Sequence, residues 1–117
     1  MKKPEKKKYK LIVTTDHGTI NVLNPEKVIG DRKTNVNLRY KKGKSLTYNQ
    51  KEVFLIDDPA QYGLPISNDK YIFAKNDQYF IYQNNFNHYA LHFKNTFQHG
   101  GISMEEMIIP FAIFNPK

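Results

Sequence analysis

The chain has 117 residues, with 18 Lys and Arg against 11 Asp and Glu, a formal net charge of +7 and no cysteine. That length allows one domain with a modest core and is small for a complete α/β enzyme. The lack of cysteine excludes disulfides and thiolate metal sites, and no apolar run approaches the roughly 20 residues needed to span a bilayer.

Hydrophobic residues make up 39% and aromatics 14%, with eight Tyr, eight Phe and no Trp. Such a chain builds a core if its tyrosines contribute to it. The charge is concentrated at one end. Lys2, Lys3, Lys6, Lys7, Lys8 and Lys10 against Glu5 place +5 in the first ten residues and leave +2 for the rest. A basic tail of this kind reads as a solvated arm rather than a nucleic-acid interface. It is not a signal peptide either, because Leu11-Ile12-Val13 is too short for an h-region. A cytoplasmic setting without membrane contact is the expectation.

Residues 1–9 read as a flexible lysine-rich lead-in, and 10–117 as the folded portion. Leu11-Ile12-Val13-Thr14-Thr15 is an apolar, β-branched run that reads as a buried parallel strand. Residues 16–50 are polar and turn-rich, with brief extended pieces at Val28-Ile29 and Val36-Asn37-Leu38 and strand-like alternation through Asn37-Leu38-Arg39-Tyr40. Val53-Phe54-Leu55-Ile56 fits a short strand or one helical turn, closed by Asp57-Asp58-Pro59. Tyr71–Lys75 and Gln78–Tyr82 flank Asn76-Asp77 and predict a β-hairpin. Ala90–Lys94 is ambiguous between strand and helix. Ser103 followed by Glu106 predicts a capping box on a short helix, stopped by Pro110. Ile108–Phe114 reads as a final buried or edge strand.

Two motifs carry candidate chemistry: Asp16-His17-Gly18 after the first strand, and His99-Gly100-Gly101 before the capped helix. An Asp-His-Gly at the end of a parallel strand sits at the lip of an open sheet, where ligands usually bind. One carboxylate and two imidazoles are donors for a zinc-like cation. They cannot come from one local loop, so the fold must bring residues 16–17 and 99 together. An Asp-His pair after a strand also serves as a turn cap, and a histidine beside two glycines also serves as an ordinary loop residue.

The strand-Asp-His-Gly segment and the closing Gln98-His99-Gly100-Gly101-Ile102-Ser103-Met104-Glu105-Glu106-Met107-Ile108-Ile109-Pro110 resemble the carboxy-terminal half of a PglZ domain, a branch of the alkaline phosphatase superfamily. Gly18–Val22, Val28–Asp31 and Asn37–Tyr40 look more specifically like the PglZ output domain of PorX-type response regulators, which serve type IX secretion. The resemblance runs from about Tyr9 to Ile113. It implies an α/β fragment of an alkaline-phosphatase-like sheet domain, here with a β-hairpin insertion. It also implies two zinc-like ions that together cleave a phosphate ester, nucleotides being one candidate substrate.

By the same resemblance, Asp16 and His17 match the pair on the metal next to the nucleophile, and His99 matches a ligand of the other metal. Arg39 and Lys33 are candidates for contact with substrate phosphate. A complete site of that superfamily also needs an early aspartate, a Thr or Ser nucleophile and a further Asp-His set, none of which this sequence supplies. The expectation is therefore a portion of a larger domain, inactive alone and partnered by an N-terminal half that carries receiver and nucleophile regions. Self-association through an open strand is a further expectation. The rival is a non-enzymatic interaction module in signalling for secretion. Nucleic-acid binding ranks third.

Other features read more plainly. His88 and His92, spaced i,i+4, are better explained by aromatic packing with Phe86, Tyr89 and Phe93 than by metal binding. Glu105 and Glu106 suit the start of a helix better than acid–base work. Thr14 and Thr15 have nothing to activate them as nucleophiles.

Overall fold

The computed structural model describes residues 7–31 and 34–117. The first six residues of the expected lead-in, and Lys33, lie outside the described residues. Helix and strand are mixed, as in α/β proteins, but the strands form four small sheets rather than one large one.

The strands are β1 (Leu11–Thr14), β2 (Ile20–Val22), β3 (Asn24–Val28), β4 (Tyr40–Gly43), β5 (Val53–Ile56), β6 (Lys70–Ala74), β7 (Gln78–Tyr82), β8 (Thr96–Gln98) and β9 (Phe111–Phe114). The helices are α1 (Phe86–Phe93) and α2 (Met104–Met107). Antiparallel pairs are β1 with β9, β2 with β8, and β6 with both β4 and β5. β3 and β7 run parallel.

The core is organised around β7. Alternate side chains of a strand point to opposite faces, so Phe80 joins Val28, Val53, Ile72 and Ala74 on one side. Tyr79 and Ile81 join Ile20 and Val22 on the other. Complete burial of a side chain such as Phe80 or Ile72 contributes about 1.5–3 kcal/mol. Tyrosines do supply core, as the composition requires: Tyr71 and Tyr79 are buried, and the Tyr79 hydroxyl donates to the Ala90 carbonyl.

α1 presents Phe86, Ala90 and Phe93 inward at helical spacing, which resolves the ambiguous 90–94 segment as helix. His88 and His92 lie on the outer, exposed face with their rings stacked 6.4 Å apart. Exposed as they are, both take part in aromatic packing as expected, His88 edge-on to Tyr89 at 5.1 Å and His92 edge-on to Phe93 at 4.8 Å. Val53–Ile56 is a strand, preceded by a short 3₁₀ turn over Gln50–Glu52.

Two expectations are corrected here. The predicted hairpin does not form, because β6 and β7 belong to different sheets. The turn itself is present, with the Gln78 amide donating to the Lys75 carbonyl at 3.0 Å and Asn76 at φ +47°. Residues 38–39 insert between the two strands. The Ala74 amide donates to the Arg39 carbonyl at 2.8 Å, and the Phe80 amide donates to the Leu38 carbonyl at 2.7 Å. The wedge takes the ladder bonds that a hairpin would have used.

The second correction concerns β1, expected as a buried parallel strand. It is antiparallel to β9, and Leu11, Ile12 and Val13 are each about half exposed. Phe111, Ile113 and Phe114 of β9 are equally open. An apolar run without alternation suits a strand covered on both faces; among the described residues, neither face of this ribbon is covered.

Candidate metal centre

The chain leaves β1 at Thr14, whose hydroxyl donates to the Pro110 carbonyl at 2.8 Å. Strand geometry ends there, so Asp16 and His17 are no longer forced to opposite faces. Gly18 then passes tightly against α2. Its amide donates to the Glu106 carbonyl at 2.8 Å, and a Cβ at this position would lie 1.9 Å from the Glu105 carbonyl oxygen. Only glycine fits.

On the other side, β8 delivers His99 and the Gly100-Gly101 turn, with Gly100 at φ +102°. The Asn37 side chain donates to the His99 carbonyl at 3.3 Å, while its Oδ1 accepts from the Arg39 amide at 2.7 Å. The two histidine loops are 82 residues apart in sequence yet meet in space. The rings of His17 and His99 stack with centroids 3.8 Å apart and planes within 12°.

Local geometry prepares His17 as a donor. Its Nδ1 lies 2.8 Å from the Gly18 carbonyl oxygen, which assigns the Nδ1 proton to that bond. A carbonyl holding the far ring nitrogen is the usual support of a metal-binding histidine. Nε2 then faces Asp16 Oδ1 at 3.5 Å. A second ring proton or a shared cation makes that contact favourable. Two donors on one tetrahedral zinc-like ion, each bonded at about 2.1 Å, stand about 3.4 Å apart. The observed spacing meets this requirement. His99 is stacked on His17 rather than convergent with it.

Among the described residues, no three His, Cys, Asp or Glu side chains converge on one point. Asp16 and His17 thus lie side by side with His99 stacked on the His17 ring, without a third donor converging on them. Asp16 is almost fully exposed, and the His17 side chain is 40% exposed.

Arg39 does not fit its expected contact with substrate phosphate. It is completely buried, with Nε and a terminal nitrogen donating to the two Glu106 carboxylate oxygens at 2.9 and 3.0 Å. Its other terminal nitrogen donates to the Gln78 carbonyl. The fork geometry that suits phosphate suits a carboxylate equally. Lys33 lies outside the described residues, so the structure gives it no place.

Glu106 has more partners than its helix cap required. The capping box with Ser103 is present, and the same carboxylate also accepts from the Gly101 amide at 3.0 Å. Burial pushes its acidity towards the neutral form, but the bonds and charge of Arg39, with Ser103 and Gly101, outweigh this and hold its pKa below the usual carboxylate value. The Arg39–Glu106 pair therefore braces both histidine loops: Gly101 through the carboxylate and Gly18 through the Glu106 carbonyl. The sequence signalled the cap alone, because the two partners are 67 residues apart.

A cavity of about 860 Å³ opens beside His99. Lys41 lines it, buried, with Nζ donating to the Asn35 carbonyl at 3.2 Å and lying 4.2 Å from the centre of the Tyr82 ring. Burial pulls its pKa down to about 8. Between about pH 8 and 10.5 the unfolded chain therefore binds more protons at this site than the folded one, so stability rises with pH there. The expected gain is about 3 kcal/mol, read as the difference between wild type and Lys41→Met in urea unfolding across that range. A flat difference contradicts it.

Comparison with known families gives one match. The family model of the BREX system PglZ alkaline phosphatase-like domain matches residues 4–114. The chain belongs to the PglZ family. No curated protein matches it. PglZ membership places the chain among alkaline phosphatase-like, phosphoesterase-type domains, which generally use divalent metals. Among the described residues, no helix of this PglZ chain is long and apolar enough to cross a membrane.

Proposed function

We infer that this chain is the metal-binding half of a PglZ-type phosphodiesterase or phosphatase domain that acts as the output of a response regulator in the cytoplasm. The single observation that carries the reading is the meeting of His17 and His99, with Asp16 beside His17, in a chain of this family. Zinc is the metal best suited to these nitrogen and oxygen donors.

Asp16 and His17 would hold one ion, with the His17 ring oriented by its Nδ1 bond to Gly18, and His99 would contribute to a second. Divalent ions bound there would supply Lewis-acid neutralisation of the phosphoryl charge. Gly18, Gly100 and Gly101 keep the backbone close to the site, and the Arg39–Glu106 pair fixes the spacing between the loops.

The remaining ligands and the nucleophile come from a further half of the domain. The open apolar faces of β1 and β9, together with exposed Met104, Met107 and Ile108 on and after α2, support such a partner. An apolar surface of this extent calls for cover, and self-association through it is the fallback when that half is absent. Alone, the chain binds metal without turnover.

Calorimetric titration with zinc, alongside a phosphodiester hydrolysis assay, tests this. Expected are uptake that falls at least tenfold in affinity in His17→Ala, and no hydrolysis above that of free zinc. Equal uptake in wild type and in a His17→Ala, His99→Ala double variant contradicts the reading.

A further inference from the structure

The backbone around His99 is anchored on both sides, and a third contact lies between the anchors. On one side, β8 ends with Gln98 in register with Ile20 of β2. On the other, the Gly101 amide donates to the Glu106 carboxylate at 3.0 Å. Between them the Asn37 side chain lies across the chain, with Nδ2 donating to the His99 carbonyl at 3.3 Å. The same nitrogen would stand 2.6 Å from a Cβ at Gly100. The carboxamide is thus pressed against the His99–Gly100 backbone as well as bonded to it.

The two ends of that carboxamide have separate tasks. Oδ1 accepts from the Arg39 amide at 2.7 Å and from the Tyr40 amide at 3.2 Å, a local turn of the kind Asn favours. Two N–H donors require an oxygen there, which fixes the orientation of the amide and directs Nδ2 towards His99. The turn itself is set by the core. The Leu38 and Arg39 carbonyls accept from the Phe80 and Ala74 amides, and the Leu38 side chain packs against the cluster of Val22, Tyr79 and Ile81. Asn37 therefore carries a position fixed by β6 and β7 to the backbone of His99.

We propose that Asn37 is the positioning residue for His99, holding its carbonyl so that the imidazole stacks on His17. The ring centroids are 3.8 Å apart, a contact that a turn of the His99 backbone would break. Asn37 acts through His99 alone. The positioning stands on the geometry, whereas its consequence for metal binding rests on the proposed function.

Two variants separate the tasks. Asn37→Asp keeps an oxygen for the Arg39 and Tyr40 amides but sets a second oxygen against the His99 carbonyl in place of the donor. Asn37→Ser is neutral, keeps a hydroxyl oxygen for the turn and is too short to reach His99. NMR of the full chain without metal reads the contact between the His17 and His99 rings, as Overhauser effects and ring-current shifts. Both variants should lose that contact while the Ala74 and Phe80 amide shifts stay in place. Zinc affinity in Asn37→Ser should be about tenfold lower, the low end for residues that support a metal ligand. In the wild type, an Overhauser effect from the Asn37 side-chain amide to the Gly100 Hα protons is expected. Its absence overturns the proposal whether or not the variants fold. So does a ring contact retained in Asn37→Ser, or one lost together with shifts at Ala74 and Phe80, as a purely structural residue would give. Loss of the ring contact alone, with zinc affinity unchanged, would uphold the positioning and remove His99 from the metal reading. If the wild type takes up no zinc, the metal reading falls and the ring contact still decides the role of Asn37.

Discussion

Arg39→Met is expected to lower the stability of the chain by about 3–5 kcal/mol, the cost of leaving a buried carboxylate without its partner. Both side chains of the pair are at or below 1% exposure, so water cannot replace the guanidinium. Glu106 would keep its bonds from Gly101 and Ser103 but lose the charge that offsets its burial. A compensating change at the partner separates a charge effect from a packing effect. Arg39→Met combined with Glu106→Leu should recover part of the loss, because no unpaired charge remains, while the lost bond to Gly101 limits the recovery. Urea unfolding of the two single variants and the double variant measures this as a cycle. A single-variant loss below about 1 kcal/mol would place the pair among weak surface ion pairs and contradict its role as a brace. The pH dependence has a defined sign. The folded pKa of Glu106 lies below the ordinary 4.5, so its contribution is complete above that pH and is lost as the medium becomes more acidic.

Gly18→Ala is the second large effect, at about 3 kcal/mol, the upper end of overpacking costs. The added methyl would meet the Glu105 carbonyl oxygen at 1.9 Å, with the Glu105 carbonyl carbon and the Ile108 oxygen at 2.9 and 3.0 Å. These are backbone atoms of α2 and the residue after it, which cannot turn aside as a flexible side chain does. The loop must move, and the Gly18–Glu106 bond with it. Because Gly18 also supplies the carbonyl that orients His17, zinc affinity should fall along with stability. Gly63→Ala is the control. Gly63 has φ +69° but open space around it, so the expected cost is about 1 kcal/mol from backbone conformation alone, with zinc affinity unchanged. Equal losses at the two glycines would mean that close approach to α2 is not what Gly18 provides.

Local signals in the sequence carried over well where the structure depends on neighbours along the chain. The capping box at Ser103 and Glu106 and the turn at Asn76-Asp77 follow from residues within a few positions of one another, while Val53–Ile56, open in sequence between a strand and a helical turn, is a strand. The approach of His17 and His99 was also legible, because two motifs read as one ligand set have to meet in the fold, and their rings do stack. What escaped was set by distant partners. The aromatic alternation of β6 and β7 predicted strands correctly but not whom they pair with, since residues 38–39 compete for the same backbone groups. Arg39 reads as a phosphate contact in sequence because a guanidinium suits phosphate and carboxylate alike; only the fold brings Glu106 to it. The apolar run of β1 predicted burial on both faces, and the structure leaves it open.

The central claim is that His17 and His99 form part of a metal site, with the His17 ring nitrogens assigned by the Nδ1 bond to Gly18. It is tested most directly by long-range ¹H–¹⁵N NMR of the histidine side chains during a zinc titration of the full chain. The account predicts that His17 Nδ1 stays protonated on the Gly18 carbonyl while His17 Nε2 and one His99 ring nitrogen shift on zinc binding, with the exposed His88 and His92 as internal references. Unchanged His17 and His99 resonances, or shifts confined to His88 and His92, would contradict it.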